Sequence, residues 1–65
     1  MPSSVIRSFL YDAADHRLGV TFVTGRRYSY HGVPASLFEA MKAAFSKGEF
    51  FNAHIRDRFA FTRDA

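Results

Sequence analysis

Two short segments of alternating apolar and polar residues, joined by a glycine turn, constrain the fold of this chain most strongly. Residues 17–23 place apolar side chains at every second position, and residues 26–31 do the same with Tyr28 and Tyr30. A period of two is typical of a strand that buries one face. Gly25 lies between the segments and can supply the positive φ that a tight hairpin turn requires. The sequence therefore predicts an antiparallel hairpin over residues 17–31.

A further strand and a first helix are predicted on either side of this hairpin. Residues 4–11 favour a strand by their content of Val, Ile, Phe and Tyr, although apolar pairs fall on both faces. Pro34 suits the first turn of a helix, and Ser36 with Glu39 matches a capping box. Gly48 is typical of a residue that ends a helix, so the first helix is predicted to stop two or three residues before it. The predicted apolar stripe of this helix is Leu37, Met41, Ala44 and Phe45, with Phe38 at its edge.

The remaining residues complete the predicted fold class. Residues 49–57 are compatible with a second short helix, in which Phe51 and Ile55 share a face. Residues 58–63 are predicted as a short strand or an extended arm. The predicted fold is α+β, with a three-stranded antiparallel sheet packed on one longer helix and followed by a short second helix (β-β-β-α-α).

Length and composition limit the chain to one small domain. With 65 residues and no cysteine, it must build its core from eight Phe and three Tyr, each of which can bury roughly 150–250 Å². We predict a single domain over residues 3–61 and a short tail over residues 62–65. No signal-peptide pattern is present, and no apolar run approaches the roughly 18–20 residues of a membrane span. A cytoplasmic protein without a membrane partner is expected.

Residue types and spacing argue against most enzyme and metal-site classes. His16, His31 and His54 lie on three different predicted elements, without the spacing of metal ligands. Neither a metal nor a cofactor is predicted. A small hydrolase would need Ser46 and His54 to meet near Gly48, which nothing in the sequence requires. We therefore predict that the protein is not an enzyme, with this hydrolase as a minor alternative.

A basic, hydrogen-bonding stretch in the C-terminal third is the main candidate site. Nine Lys and Arg against six Asp and Glu give a net charge of +3, which is compatible with a phosphate-bearing partner. Arginine suits phosphate because its planar guanidinium can make two parallel hydrogen bonds. The predicted phosphate-binding residues are Lys47, Asn52, Arg56 and Arg58, with Arg26 and Arg27 as a second basic site. The leading hypothesis is a non-catalytic module for RNA or another nucleic acid; the alternative for these residues is solvated surface.

Aromatic side chains support two further interpretations. Tyr28 and Tyr30 could stack bases, but they alternate with Arg27 and so face the opposite side of the strand. A role in the core is therefore favoured for both. The rival function is protein interaction or self-association, as a monomer or weak homodimer, through exposed aromatics and a free sheet edge. The predicted partner-binding residues are Phe50, Phe59 and Phe61.

Two spaced patterns are distinctive: Tyr-x-Tyr-x-x-Val-Pro over residues 28–34, and Ser-x-Gly-x-x-Phe-Asn-x-x-Ile-Arg over residues 46–56. Further residues in the same order are Ser3, Ser4, Ile6, Tyr11, Asp12, Leu18, Val20, Phe22, Gly25 and Ala44. Over about residues 3–61 the chain resembles the KTSC domain, a small family named for its place at the C-terminus of some lysyl-tRNA synthetases and also found as stand-alone bacterial proteins. Leu10 stands where the family often has Gly, and Phe59 where Tyr is common. The resemblance implies proximity to RNA and no particular activity.

Overall fold

The computed structural model of the chain describes residues 5–64. The elements are β1 (Ile6–Asp12), β2 (Arg17–Phe22), β3 (Arg27–His31), α1 (Ala35–Ala43), α2 (Lys47–His54) and β4 (Phe61–Arg63). The strands form an antiparallel sheet in the order β1-β2-β3-β4. The chain is thus a small α+β fold with an antiparallel sheet and two helices, and the predicted hairpin of β2 and β3 is confirmed. Ser3 and Ser4, where the first strand was expected to begin, lie outside the described residues.

The register of the strands gives the sheet one covered face and one open face. Leu18 lies opposite Tyr11 on β1 and opposite Tyr30 on β3. These three side chains therefore project to the same side, where both helices pack. Buried apolar residues of this core include Leu18, Val20, Tyr30, Val33, Met41, Phe51 and Ile55. On the open face Leu10 covers Gly19, where an added Cβ would stand 3.5 Å from the Leu10 side chain.

Both helices contribute aromatic rings to the core. In α1, Phe38 stacks on Tyr11 of β1 with ring centroids 4.9 Å apart. In α2, Phe51 makes an edge contact with Tyr30 of β3 at 5.2 Å. The Tyr11 hydroxyl donates to the Val33 carbonyl at 2.6 Å, which ties β1 to the segment that leads into α1. α1 and α2 have nine and eight residues, so the predicted first helix is longer by only one residue, and both helices supply core side chains. Within the described residues, neither helix has the length and apolar character needed to cross a membrane.

A fourth strand corrects the predicted fold class. β4 pairs with β3, so that Phe61 lies opposite Tyr30 and Thr62 opposite Ser29. The Ser29 hydroxyl also donates a 2.6 Å hydrogen bond to the Asp64 carboxylate. The helices therefore lie between β3 and β4 in the chain (β-β-β-α-α-β), and the prediction of three strands with the helices last is wrong. A segment this short becomes a strand only because β3 offers it backbone partners.

The junction between the helices also differs from the prediction. α1 ends at Ala43, and Ser46 caps the N-terminus of α2 by accepting a hydrogen bond from the Glu49 N–H at 3.2 Å. Gly48 is buried inside the first turn of α2 and does not end a helix. Phe45, expected in an apolar stripe, falls between the helices and is 84% exposed. Capping by Ser46 prevails because it satisfies a backbone donor that would otherwise lack a partner.

Candidate functional site

An open groove lies where the end of α2 faces the β2–β3 turn and β4. Its volume is about 490 Å³. Aromatic side chains form its floor: Phe22, Tyr28, Tyr30, Phe51 and Phe61. Polar side chains at its rim are Thr24, Arg26, Asn52, Arg56 and Asp57. We call this surface the aromatic groove.

The floor of the aromatic groove is a continuous set of ring contacts. Tyr28 packs edge-on against Phe22 and against Phe61, each at 5.6 Å between centroids. Tyr30 lies 5.2 Å from Phe51 and 5.5 Å from Phe61. Because these rings come from β2, β3, α2 and β4, the groove forms only when all four elements are assembled.

Local backbone geometry places the polar rim. Asn52 on α2 and Arg56 in the following turn are four residues apart, so they project on one side. The Arg56 N–H donates to a carbonyl of the last helical turn at 2.9 Å, and Asp57 continues the turn with φ of 64°. Asp tolerates this left-handed conformation better than most residues. Arg26 enters from the β2–β3 turn, which Gly25 closes with φ of 92°.

The rim carries two guanidinium groups that are not neutralised. Within the part of the chain that the structure describes, neither Arg26 nor Arg56 forms an ion pair, whereas Arg17 is paired with Asp12 at 3.4 Å. Asp57 adds a carboxylate to the same rim. An anion that enters the groove would therefore meet a net positive charge, partly offset by Asp57.

The Tyr30 hydroxyl reports the electrostatics of the floor. Burial raises the pKa of Tyr30 above its ordinary value of 10.0, and the neighbouring Tyr28 raises it further. The positive charge of Arg56 opposes this rise in the pKa, and the negative charge of Asp57 adds to it. Arg56 and Tyr30 line the same groove, so the guanidinium charge faces the space above the floor.

The structure brings together three of the residues predicted to bind phosphate. Asn52, Arg56 and Arg26 all line the aromatic groove, although Arg26 is 26 positions before Asn52. Arg27 lies outside it, because it pairs with Thr21 of β2 and projects to the open face of the sheet. The predicted second basic site is therefore divided between the two faces.

The other two predicted cations serve the ends of helices. Lys47 begins α2, and its Nζ donates to the Ala44 carbonyl at 2.8 Å, next to the end of α1. Arg58 donates from its Nε to the Ala53 carbonyl at 3.2 Å, in the last turn of α2. Both side chains lie outside the aromatic groove, and each bonds a carbonyl near a helix C-terminus, where positive charge is favourable.

The predicted partner-binding aromatics differ in exposure. Phe61 is 53% exposed and lines the groove. Phe50 packs on His54 with ring centroids 4.5 Å apart and also contacts the core, and Phe59 packs against the core as well. Phe50 and Phe59 are therefore half-buried and less exposed than expected, since the core takes up part of both rings.

Sequence reasoning missed Tyr28 and Tyr30 as groove residues. Both project to the core face, as predicted, yet both also line the aromatic groove because the helices leave this end of the sheet open. Asp57 and Thr24 were missed as well. The available signal was the turn chemistry on either side, since Gly25 and the polar residues after Ile55 mark two turns that could meet.

The pair considered for hydrolysis does not assemble. Ser46 and His54 lie at opposite ends of α2, roughly 12 Å apart along the helix axis. Ser46 caps the helix, while His54 packs on Phe50. Among residues 5–64, no group of three or more His, Cys, Asp or Glu side chains could hold a metal ion. The geometry offers a binding surface lined by aromatic rings and arginines.

Comparison with known proteins identifies relatives of this arrangement. The sequence pattern of the KTSC domain matches residues 2–59. The crystal structure of a KTSC domain protein from Yersinia pestis has a TM-score of 0.87 and 32% identity, and the match covers 100% of this chain and 94% of that chain. The match includes residues 61–63, which form β4 in this chain and for which the sequence predicts a short strand or an extended arm.

Curated relatives include a long protein and a short one. A lysine-tRNA ligase from Nostoc punctiforme is 40% identical over 58 residues, which is 89% of this chain and 10% of the ligase. A protein from Tsukamurella paurometabola is 39% identical over 57 residues, which is 88% of this chain and 85% of that protein. The chain thus spans a tenth of the length of the ligase and most of the length of the short relative.

Proposed function

This chain belongs to the KTSC domain family, and we propose that it is a non-catalytic binding module that holds RNA phosphates at the rim of the aromatic groove. The observation that carries the proposal is the pair Arg26 and Arg56, which lie at this rim without an ion-pair partner among residues 5–64. A guanidinium makes charge-assisted bonds to phosphate, and in a half-enclosed groove water screens that attraction less than on a flat surface.

Two further facts support RNA as the source of the phosphate. The net charge of +3 attracts polyanions. Relatives of this domain form part of lysine-tRNA ligases from Nostoc punctiforme and Trichormus variabilis, whose name includes tRNA. That association favours RNA among polyanions, and the arginines at the rim of the groove are the residues proposed to hold it. We propose a cytoplasmic location for this role.

The test is a titration of the labelled protein with a short mixed-sequence RNA, monitored through its amide NMR shifts and carried out at low and at high salt. Shifts are expected at Arg26, Asn52 and Arg56, and they should vanish at high salt because bound phosphates release counterions. Arg26→Gln and Arg56→Gln each remove one phosphate contact. The slope of log K against log salt should therefore become shallower by about 0.7 for each substitution.

Arg27→Gln is the matched control for Arg26→Gln. It makes the same change in net charge at the adjacent residue, but on the open face of the sheet. Equal weakening by both substitutions would mean that the charge of the whole surface attracts the RNA, and the groove proposal would fail. Affinity that does not depend on salt would also end it.

A second candidate function, docking of a peptide or of a second copy on β4, is favoured by the exposure of Phe61. β4 is an edge strand of the described sheet, so its outer backbone groups can pair with another strand. Sedimentation equilibrium over a wide range of protein concentration tests self-association. A rising mass supports docking on β4 by a second copy, and a constant monomer mass rejects it.

A further inference from the structure

We infer that the aromatic groove takes one unpaired nucleotide of a single-stranded RNA, with the base stacked on the Phe61 ring and the phosphate held by Arg26 and Arg56. This inference rests on the proposed function and narrows it from RNA phosphates in general to unpaired RNA. It gives Phe61 a binding role in addition to its contacts with the core.

Phe61 has the properties of a stacking platform. About half of its surface is open to solvent, while Tyr28 and Tyr30 hold its ring at 5.6 and 5.5 Å. The Ser29 hydroxyl anchors the end of the same strand through its 2.6 Å bond to Asp64. A ring that is already held in place loses little conformational entropy when a base stacks on it.

The composition of the groove favours an unpaired base over a duplex. In a duplex the faces of each base are covered by neighbouring base pairs, so only phosphates, sugars and base edges are available to a protein. A duplex could therefore reach Arg26 and Arg56 but would leave the aromatic floor unused. The faces of unpaired bases are accessible to a protein. Stacking of a base on an aromatic ring adds to affinity whichever base it is. The volume of about 490 Å³ is in the range of sites that hold one small ligand.

A tryptophan reporter can detect this stacking directly. The chain has no Trp, so Phe61→Trp introduces a single tryptophan, which can be excited apart from the three tyrosines and which keeps an aromatic ring in the groove. A base stacked on that ring is expected to quench its fluorescence. Phe45→Trp is the matched control, since Phe45 is highly exposed and lies outside the groove. The probes are a mixed-sequence RNA of about eight nucleotides and a blunt duplex of the same sequence, at equal phosphate concentration.

We expect the single strand to quench Phe61→Trp and to leave Phe45→Trp unchanged. The wild-type protein should bind the single strand more tightly than the duplex. Phe61→Leu, which keeps an apolar side chain but removes the ring, should bind the single strand roughly tenfold more weakly. Near-ultraviolet circular dichroism of each variant checks that the fold is retained.

The opposite outcomes separate this inference from the function on which it rests. Equal affinity for both RNAs, with no loss in Phe61→Leu, overturns the inference. If Arg26→Gln still weakens both RNAs, the phosphate proposal remains standing. If neither RNA binds in a salt-dependent way, both are overturned, and docking of a protein on Phe61 becomes the better account.

Discussion

The side chain of Tyr30 belongs both to the core and to the candidate site. Burial raises the pKa of its hydroxyl, so the folded state holds the phenolic proton more tightly than the unfolded state does. The resulting stabilisation is complete below about pH 10 and is lost as the pH rises through the higher folded value. We expect the free energy of unfolding above about pH 10 to fall more steeply in wild type than in Tyr30→Phe. Urea unfolding at a series of pH values measures both slopes, and parallel slopes would refute the prediction.

Arg56 provides a second test of the raised pKa of Tyr30. Its positive charge opposes the rise in the pKa of Tyr30, so Arg56→Gln should move the NMR titration of the Tyr30 ring to a higher midpoint. An unchanged midpoint would show that the guanidinium does not act on the floor of the groove. That result would also weaken the assignment of Arg56 to the phosphate-binding rim.

Arg26 and Arg27 show what a sequence can predict for single residues. Both are predicted to bind phosphate because the chemistry of a side chain is visible in the sequence. The period of two in β3 indicates that Arg27 faces away from the core tyrosines, but Arg26 precedes the strand, and the alternation does not say what Arg26 meets. That Arg26 meets Asn52 and Arg56 at one rim depends on the packing of Phe51 against Tyr30, a contact between residues that are distant in sequence.

Among the elements, α2 depends on the Ser46 cap. The sequence shows this serine, but two positions later it has Gly48, which is typical of a residue that ends a helix. Ser46 accepts from the Glu49 N–H and is largely buried. We expect Ser46→Ala to lower the free energy of unfolding by about 1 kcal/mol, since one N-terminal N–H of α2 then loses its partner. Urea denaturation measures this loss. Ser46→Ala should reduce RNA affinity only slightly, because the groove residues lie at the other end of α2.

Ser36→Ala is the matched control for the cap. Ser36 and Glu39 fit a capping box in sequence, yet α1 has Pro34 at its N-cap with no side-chain cap bond, and Ser36 is exposed. This substitution should therefore change the free energy of unfolding by less than about 0.5 kcal/mol. A loss as large as that of Ser46→Ala would mean that the serine content of the helices, and not the cap of α2, determines the effect.

The elements that were predicted correctly are those whose signal is local. The hairpin of β2 and β3 follows from alternation and from Gly25, all within fifteen residues. β4 carries no comparable signal, because its three residues pair with a strand about 33 positions earlier. The same long-range pairing creates the floor of the groove, where Phe61 meets Tyr30. The sequence therefore predicts the types of residue in the site, while their meeting depends on the last strand to join the sheet.

At the scale of the whole molecule, β4 is the last strand of the sheet and supplies Phe61 to the floor of the groove. A chain of 65 residues is expected to have a total stability of only about 3–10 kcal/mol. Loss of β4 and Asp64 would remove the ladder with β3, the contacts of Phe61 with Tyr28 and Tyr30, and the bond from Ser29 to Asp64. Any one of these is modest, but together they are comparable with a large part of the total.

Deletion of residues 61–65 tests this dependence. We expect the truncated chain to lose roughly 2–4 kcal/mol, from apolar burial and from hydrogen bonds. In a domain of this size that loss lowers the midpoint of thermal unfolding by roughly 10–25 °C, which circular dichroism can follow. Asp64→Ala, which removes only the partner of Ser29, should cost about 1–3 kcal/mol and keep Phe61 in place. If the truncated chain melts within a few degrees of the full chain, β4 contributes little to folding. RNA binding by that chain would then isolate the contribution of Phe61, because the arginines of the rim would remain on a folded domain.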